Sequence, residues 1–210
     1  MTVTTEETEV VHAPVAHTEG HHTSTGISNE KLGMWAFLGS ECLLFGGLIS
    51  TFLLLRGKGV LPGHGPAVKD LYDIPFTSVS SFVLLMSSLT MVLALSAVQR
   101  GLHRRARVWL LATARFGLVF VSGQVYEFTS FYNEGFGFST NLQSSAFYVL
   151  TGFHGVHVTI GILMLISLFF MSLRGNLPTE KAETVEIIGL YWHFVDVVWI
   201  LIFTVVYLIQ

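Results

Sequence analysis

The stretch that decides the fold class is SAFYVLTGFHGVHVTIGILMLISLFFMSL, residues 145–173. It contains no Asp, Glu, Lys or Arg, and it exceeds the roughly 20 apolar residues that a helix needs to cross a hydrocarbon core. Four further apolar runs of similar length are present, at 33–55, 76–99, 108–132 and 187–209. Because backbone in lipid must satisfy its own hydrogen bonds, these runs predict an all-α integral membrane bundle of five transmembrane helices.

The overall composition also indicates a membrane protein. Of the 210 residues, 51% are hydrophobic and only 12% are charged, about half of the roughly 25% charge of an average soluble domain. The charged residues inside the five runs are Glu41, Arg115, Glu127 and Asp196. This scarcity excludes a soluble enzyme and a disordered chain, and the single cysteine, Cys42, excludes a secreted disulfide scaffold. The net charge of −3 offers no basic footprint for nucleic acid.

The chain divides into a tail and a membrane domain. Residues 1–30 are polar, acidic and rich in Thr and His, so we expect a disordered tail there and a five-helix domain over 31–210. The Lys and Arg residues beside the spans predict the orientation. One side carries Lys31, Arg100, Arg104, Arg105, Arg107, Arg174 and Lys181, and the other carries Arg56, Lys58 and Lys69. This excess predicts that the N-terminus lies inside and the C-terminus outside.

Three of the predicted helices each carry a polar pair spaced i, i+3. The pairs are Gln124 and Glu127, His154 and His157, and His193 and Asp196. Residues at this spacing share a helical face, so we expect the three pairs to point inward at one another. One interpretation is an interhelical hydrogen-bond network. Two alternatives stay open, a metal or haem site and a proton or ion path, although the few histidines and the apolar remainder of the spans disfavour both.

Two ionisable residues stand apart from these pairs. Glu41 is the only acid or base in the first span, and its side chain is expected either to face a packed cleft or a lipid headgroup, or to hydrogen-bond another helix. Arg115 lies within two turns of the predicted inner boundary. Its long side chain is expected to extend toward water or phosphate headgroups.

Two stretches inside the spans are distinctive, namely AFYVLTGFHGVHVTIGI at 146–162 and YWHFVDVVWILIFTVVY at 191–207. They resemble the two most recognisable stretches of subunit III of the haem–copper respiratory oxidases. Its helix with a lone membrane-embedded glutamate is similar to WAFLGSECLLFGGL at 35–48. The runs FTSVSSFVLLMSSLTM and FVSGQVYEF also fit in order. The resemblance covers about residues 32–210 and is to the shorter, five-helix bacterial form.

The resemblance implies a function and a set of partners. It implies a non-catalytic accessory subunit of a proton-pumping cytochrome c oxidase of the aa3 or caa3 kind, which reduces oxygen to water in aerobic respiration. Such a subunit holds no catalytic residue, cofactor or metal, because haem and copper belong to subunits I and II. It packs mainly on subunit I, with subunit II and small subunits as further candidate partners. It also holds structural phospholipid and supports oxygen access and proton uptake in the bacterial cytoplasmic membrane.

The resemblance also assigns roles to individual residues. By position, Glu41 corresponds to the family's lipid-cleft glutamate and is the candidate for lipid binding or proton uptake. The family's characteristic polar positions are occupied by Glu127, His154, His157, Glu186, His193 and Asp196. With Gln124 they make up the expected interhelical polar network, and Arg115 is the candidate for a lipid headgroup. The alternatives are subunit III of a quinol oxidase, an accessory subunit of a nitric oxide reductase, and an independent transporter.

Overall fold

The computed structural model describes residues 28–56, 74–175, 177 and 181–209. It contains five helices: α1 (Asn29–Leu55), α2 (Ile74–Gln99), α3 (His103–Asn133), α4 (Leu142–Leu173) and α5 (Ala182–Phe203), which continues into a π-helical turn over Thr204–Leu208. Each of the five is long and apolar enough to cross a membrane, and no strand is found within the described ranges. The predicted all-α fold with five membrane-spanning helices is therefore confirmed.

The helices begin earlier than the apolar runs predict. Each starts two to five residues before its run, whereas the first four end within one residue of the predicted position. The reason is that polar first turns continue the helical hydrogen bonding beyond the apolar part, and hydropathy alone does not detect them. At the start of α4 a capping box holds this extension, because Asn141 Oδ1 accepts from the Ser144 backbone N at 2.7 Å.

The boundary between tail and helix also differs from the prediction. Asn29 and Glu30 were assigned to the tail, but both belong to α1. The cap explains the earlier start, because the Ser28 hydroxyl accepts from the Lys31 backbone N at 3.3 Å. The rest of the expected tail, residues 1–27, lies outside the described residues.

Helices that follow one another in the chain run in opposite directions. α2 and α3 form a hairpin whose short turn places Gly101 at φ 69°, a conformation that favours glycine. The start of α3 lies beside the end of α4, where Arg107 Nη2 donates to the Ser172 carbonyl at 2.8 Å. The start of α1 lies beside the start of α5, where Lys31 Nζ is 2.5 Å from Glu186 Oε1. One end of the bundle, called here the basic end, therefore holds the starts of α1, α3 and α5 and the ends of α2 and α4.

The first helix lies at the edge of the bundle. α1 packs mainly on α4 and α5, and its buried residues are Leu38, Phe45 and Phe52. Large apolar side chains point outward, among them Leu43 at 80% and Leu54 at 67% exposure. Such a surface is stable against lipid or another apolar chain and not against water.

Trp192 of α5 joins four helices. Its indole is buried, and Nε1 donates to the Ser87 hydroxyl of α2 at 2.8 Å. A Cβ atom on Gly117 of α3 would lie 2.7 Å from the indole, and one on Gly161 of α4 would lie 2.8 Å from it. The two glycines therefore provide the space that the largest side chain of the core requires.

Gly161→Ala is expected to destabilise the bundle. The added methyl group would force Trp192 or a helix to move, and overpacking of this kind costs about 1–3 kcal/mol. Ala gains only about 1 kcal/mol over Gly in a helix, so the clash dominates. Gly152 is the matched control, because it lies on the same helix with nothing within 4 Å of its Cβ position. Thermal unfolding in detergent should rank Gly161→Ala below Gly152→Ala, and equal unfolding temperatures would contradict this packing.

Candidate functional site

Glu41 of α1 pairs with His157 of α4. Glu41 Oε2 lies 3.1 Å from His157 Nε2, and the two side chains are 14% and 11% exposed. Of the two expectations for Glu41, the structure shows the hydrogen bond to another helix. The partner is 116 residues away in the chain, so no local pattern indicates the pairing.

The geometry of this pair determines where one proton must lie. His157 Nδ1 is 2.7 Å from the Phe153 carbonyl, which can only accept, so Nδ1 carries a hydrogen. The contact between Nε2 and Glu41 Oε2 is then a hydrogen bond only if one further proton lies between these two atoms. The pair therefore holds one exchangeable proton, on the carboxyl group or on the imidazole.

His154, one turn before His157, has a different environment. Its ring is fully buried, and neither ring nitrogen has a hydrogen-bond partner among the described residues. The ring instead stacks on Trp199 with centroids 4.9 Å apart and meets the edge of Phe120 at 5.8 Å. His154 thus packs as an aromatic side chain and contributes no hydrogen bond to the expected polar network.

Gln124 and Glu127 of α3 contact different neighbours. Gln124 Nε2 donates to the Thr151 carbonyl of α4 at 2.7 Å. Glu127 is buried and accepts from the Thr77 hydroxyl of α2 at 2.9 Å and from the Tyr207 hydroxyl at 3.0 Å. The carboxylate therefore joins the start of α2 and the C-terminal π-helical turn to α3.

His193 and Asp196 of α5 share one hydroxyl group on α2. Ser88 Oγ donates to Asp196 Oδ2, and it lies 2.9 Å from His193 Nδ1. Because the single hydroxyl hydrogen is directed to Asp196, the Ser88 oxygen accepts from His193 Nδ1. The second Asp196 oxygen is buried and has no partner among the described residues. One serine thus connects the polar pair of α5 to α2.

The two remaining candidates lie nearer the surface. Glu186 forms its ion pair with Lys31 at the basic end, where both side chains are partly exposed. Arg115 is exposed on α3, and it forms no ion pair within the part of the chain that is described. Its contact with a lipid headgroup stays a prediction.

The three polar pairs do not meet in one network, contrary to the prediction. Gln124 bonds a carbonyl group of α4, and Glu127 and the α5 pair bond hydroxyl groups of α2. His157 bonds the Glu41 carboxyl group of α1, and His154 has no hydrogen-bond partner among the described residues. The hydroxyl partners on α2 were not predicted, although a signal for them exists. Thr77, Ser81 and Ser88 are four and seven residues apart, a spacing that places them on one helical face. Ser81 completes this face by accepting from Trp199 Nε1 at 2.8 Å.

The arrangement suits helix association and proton binding. In the described part of the chain, no three His, Cys, Asp or Glu side chains lie close enough together to hold a metal ion. The three intramembrane histidines differ in their contacts. His157 bonds Glu41, His193 bonds Ser88, and His154 stacks on aromatic rings. The exchangeable proton of the Glu41–His157 pair is the chemical feature that distinguishes this site from an ordinary helix contact.

Comparison with known proteins identifies the family. The family model described as cytochrome c oxidase subunit III matches residues 10–210. The chain belongs to this family. The match begins inside the expected tail, so the predicted range of 32–210 was too short at its N-terminal end. As subunit III of a haem–copper oxidase, the chain is a multi-pass membrane protein and part of a terminal oxidase complex with other subunits.

Curated relatives cover most of this subunit. Cytochrome c oxidase subunit 3 of Bacillus sp. (strain PS3) is 38% identical over 180 residues, which is 86% of each chain. The protein of the same name from Alkalihalophilus pseudofirmus is 41% identical over 181 residues, again 86% of each chain. Quinol oxidase subunit 3 of Bacillus subtilis (strain 168) is 38% identical over 191 residues, 90% of each chain. Both kinds of oxidase are therefore represented at similar identity.

Ser88→Ala is expected to destabilise subunit III because it removes the hydroxyl group that serves both His193 and Asp196. A buried polar group without a partner costs about 1–3 kcal/mol. Ser122→Ala is the control, since the exposed Ser122 hydroxyl bonds only Leu118 of its own helix. Thermal unfolding should show a loss for Ser88→Ala and little change for Ser122→Ala, and an unaffected Ser88→Ala variant would rule out the shared contact.

Proposed function

We propose that this chain is the accessory subunit III of a proton-pumping cytochrome c oxidase of the aa3 or caa3 kind, in the bacterial cytoplasmic membrane. It packs mainly on subunit I, contacts subunit II, holds phospholipid, and supports oxygen access and proton uptake while other chains reduce oxygen to water. The observation that carries the proposal is the family match over residues 10–210, together with relatives named cytochrome c oxidase subunit 3.

In this proposal, haem and copper lie in subunits I and II, and the present chain holds no catalytic residue. The chemistry of its donor groups supports this assignment. His157 has one ring nitrogen on Glu41 and the other on the Phe153 carbonyl, and His193 Nδ1 contacts Ser88. A side chain engaged in this way would have to give up its present hydrogen bond to bind a metal through the same atom.

The proposed contribution to proton uptake and lipid holding centres on Glu41. Its carboxyl group shares a proton with His157 in a mostly buried position near the edge of the bundle. Phe37 and Leu44 lie four residues before and three residues after Glu41, so they share its face of α1, and both are exposed apolar side chains. A proton-binding group beside an apolar surface is suited to the boundary between protein and lipid.

The orientation with the N-terminus inside is part of the same proposal. Lys31, Arg107 and Arg174 all lie at the basic end of the bundle, where α1 and α3 begin and α4 ends. Positive residues beside short loops favour the cytoplasmic side. The lower number of Lys and Arg residues at the other end also supports the orientation with the N-terminus inside.

A quinol oxidase is the second candidate, because relatives named quinol oxidase subunit 3 are as similar as the cytochrome c oxidase subunits. The donor is expected to be determined by chains other than this one. The oxidase should therefore be purified through a tag on this chain, and its partners should be identified by mass spectrometry. A partner with a copper-binding domain and a cytochrome c domain would support the leading proposal, whereas a partner without the copper site would indicate quinol.

The same purification tests the accessory role. We expect haem and copper to be present in the intact complex and to remain with the partners when the present chain is separated from them. Haem or copper bound to the isolated chain would overturn the proposal of a cofactor-free subunit. Failure of any oxidase subunit to co-purify would favour an independent membrane protein.

Glu41→Gln is expected to separate proton binding from assembly. A glutamine amide can still donate to His157 Nε2, so the loss of stability should stay below about 1 kcal/mol, but it cannot exchange a proton with the ring. Glu41→Leu, in contrast, leaves His157 Nε2 without a partner, which costs about 1–3 kcal/mol. We expect Glu41→Gln to assemble normally and to lose activity faster during turnover, measured as oxygen consumption over time.

The control for charge removal is Glu134→Gln, because Glu134 is exposed after the end of α3 and its side chain bonds only Ser130. That variant should behave like the unmodified oxidase in assembly and in turnover. If the Glu41→Gln enzyme has an unaltered inactivation rate and an unaltered lipid content, Glu41 has no part in the proposed proton uptake or lipid binding.

A further inference from the structure

An open cavity of about 490 Å³ lies against α2 and α3 near the basic end of the bundle. It is lined by Leu93 of α2 and by Arg104, Arg105, Val108 and Trp109 of α3. We call it the α2–α3 cavity. Its volume is within the range of about 300–1,000 Å³ that is usual for small-molecule sites. None of these five side chains takes part in the helix contacts described above.

The two ends of the α2–α3 cavity differ in chemistry. Arg104 and Arg105 are the second and third residues of α3, so they lie beside the hairpin turn. Leu93 lies six residues before the end of α2 and Val108 five residues after the start of α3. At 1.5 Å per residue, these apolar residues lie roughly 8–9 Å from the helix ends at the hairpin turn, and Val108 lies about 4.5–6 Å nearer the middle of the span than the two arginines. The cavity is therefore cationic at the membrane surface and apolar toward the interior.

Neither arginine has a negatively charged partner among the described residues. The ion pairs among the described residues are Lys31–Glu186 and Glu41–His157. Neither of them includes Arg104 or Arg105. The first turn of α3 contains no acidic residue, and both arginine side chains are exposed. Two adjacent positive charges without a counter-charge attract an anion.

We propose that the α2–α3 cavity binds an anionic phospholipid. Its phosphate group lies between Arg104 and Arg105, because guanidinium groups bind phosphate oxygens through paired hydrogen bonds. The beginning of an acyl chain lies along Leu93 and Val108. Trp109 lines the same cavity, and indole rings are frequent at the headgroup level of membranes.

A phospholipid matches the cavity better than a soluble anion does. Inorganic phosphate would contact only the cationic end, whereas a phospholipid has a phosphate group for that end and an acyl chain for the apolar end. Clusters of basic residues beside a transmembrane helix attract anionic lipids in particular. The inference rests on the proposed lipid-holding role but assigns it a second site, on helices other than the α1 and α4 of the Glu41–His157 pair.

The test uses the assembled oxidase with the double substitution Arg104→Gln and Arg105→Gln. Arg174→Gln is the matched control, because Arg174 is exposed at the same end of the bundle and does not line the cavity. The complexes are reconstituted with phosphatidylglycerol, washed with detergent and analysed by native mass spectrometry. We expect the double variant to lose one bound phosphatidylglycerol per complex, and the wild type and Arg174→Gln to retain it.

Competition experiments identify the occupant. In the wild type, excess inorganic phosphate should leave the phosphatidylglycerol bound, and complete displacement would show that only an anion site exists. An unchanged lipid count in the double variant would overturn the proposal. Loss of a protein subunit with an unchanged lipid count would show that the cavity receives a partner chain instead.

The outcomes also distinguish failure of the α2–α3 cavity as a lipid site from failure of the proposed lipid-holding function. If the wild-type complex retains no anionic phospholipid at all, the lipid-holding role itself is wrong. If the wild type and the double variant retain equal amounts, that role stands and the α2–α3 cavity is not the site. Subunit composition and oxygen consumption, measured on the same samples, show whether the oxidase assembly is intact.

Discussion

Inside a hydrocarbon core a polar group has no water to bond, so its partners must come from the protein itself. This constraint explains the hydroxyl-bearing face of α2. Ser81 and Ser87 accept from the two buried indole groups of α5, and Ser88 serves the polar pair of that helix. Glu127 adds α3 to the same set of contacts through Thr77. The central helices are thus held by short hydrogen bonds between neighbours and by close packing around Trp192.

The elements that could be predicted from sequence are those that depend on local properties. Apolar runs of more than about 20 residues predict the five helices, and the i, i+3 spacing correctly indicates that Gln124 and Glu127 are buried on one face. The partners could not be predicted, because they lie on other helices at large sequence separation. His154 shows most clearly what the sequence cannot predict. A histidine side chain is expected to form hydrogen bonds, but here its ring packs against aromatic side chains of three other helices.

The polar groups of subunit III divide by position in the bundle. Those between α2, α3 and α5 are buried and joined to fixed partners, which suits a rigid support for other chains. Those at the edge are more accessible, namely the proton-sharing pair on α1 and α4 and the two arginines at the start of α3. Exchange with the surroundings, whether of a proton or of a lipid, is therefore proposed at the edge and structural support at the centre.

The long sequence separation of the α1 contacts has a consequence for biosynthesis. α1 is synthesised before α4 and α5, and its polar partners His157 and Glu186 are 116 and 155 residues further along the chain than Glu41 and Lys31. At a synthesis rate of about 5–20 residues per second, α1 waits roughly 8–31 s before both partners have been made. During that interval Glu41 has no helix to bond, and α1 must be stabilised in the bilayer by its apolar surface alone. The polar contacts of α1 therefore form only after α4 and the first turns of α5 have been made.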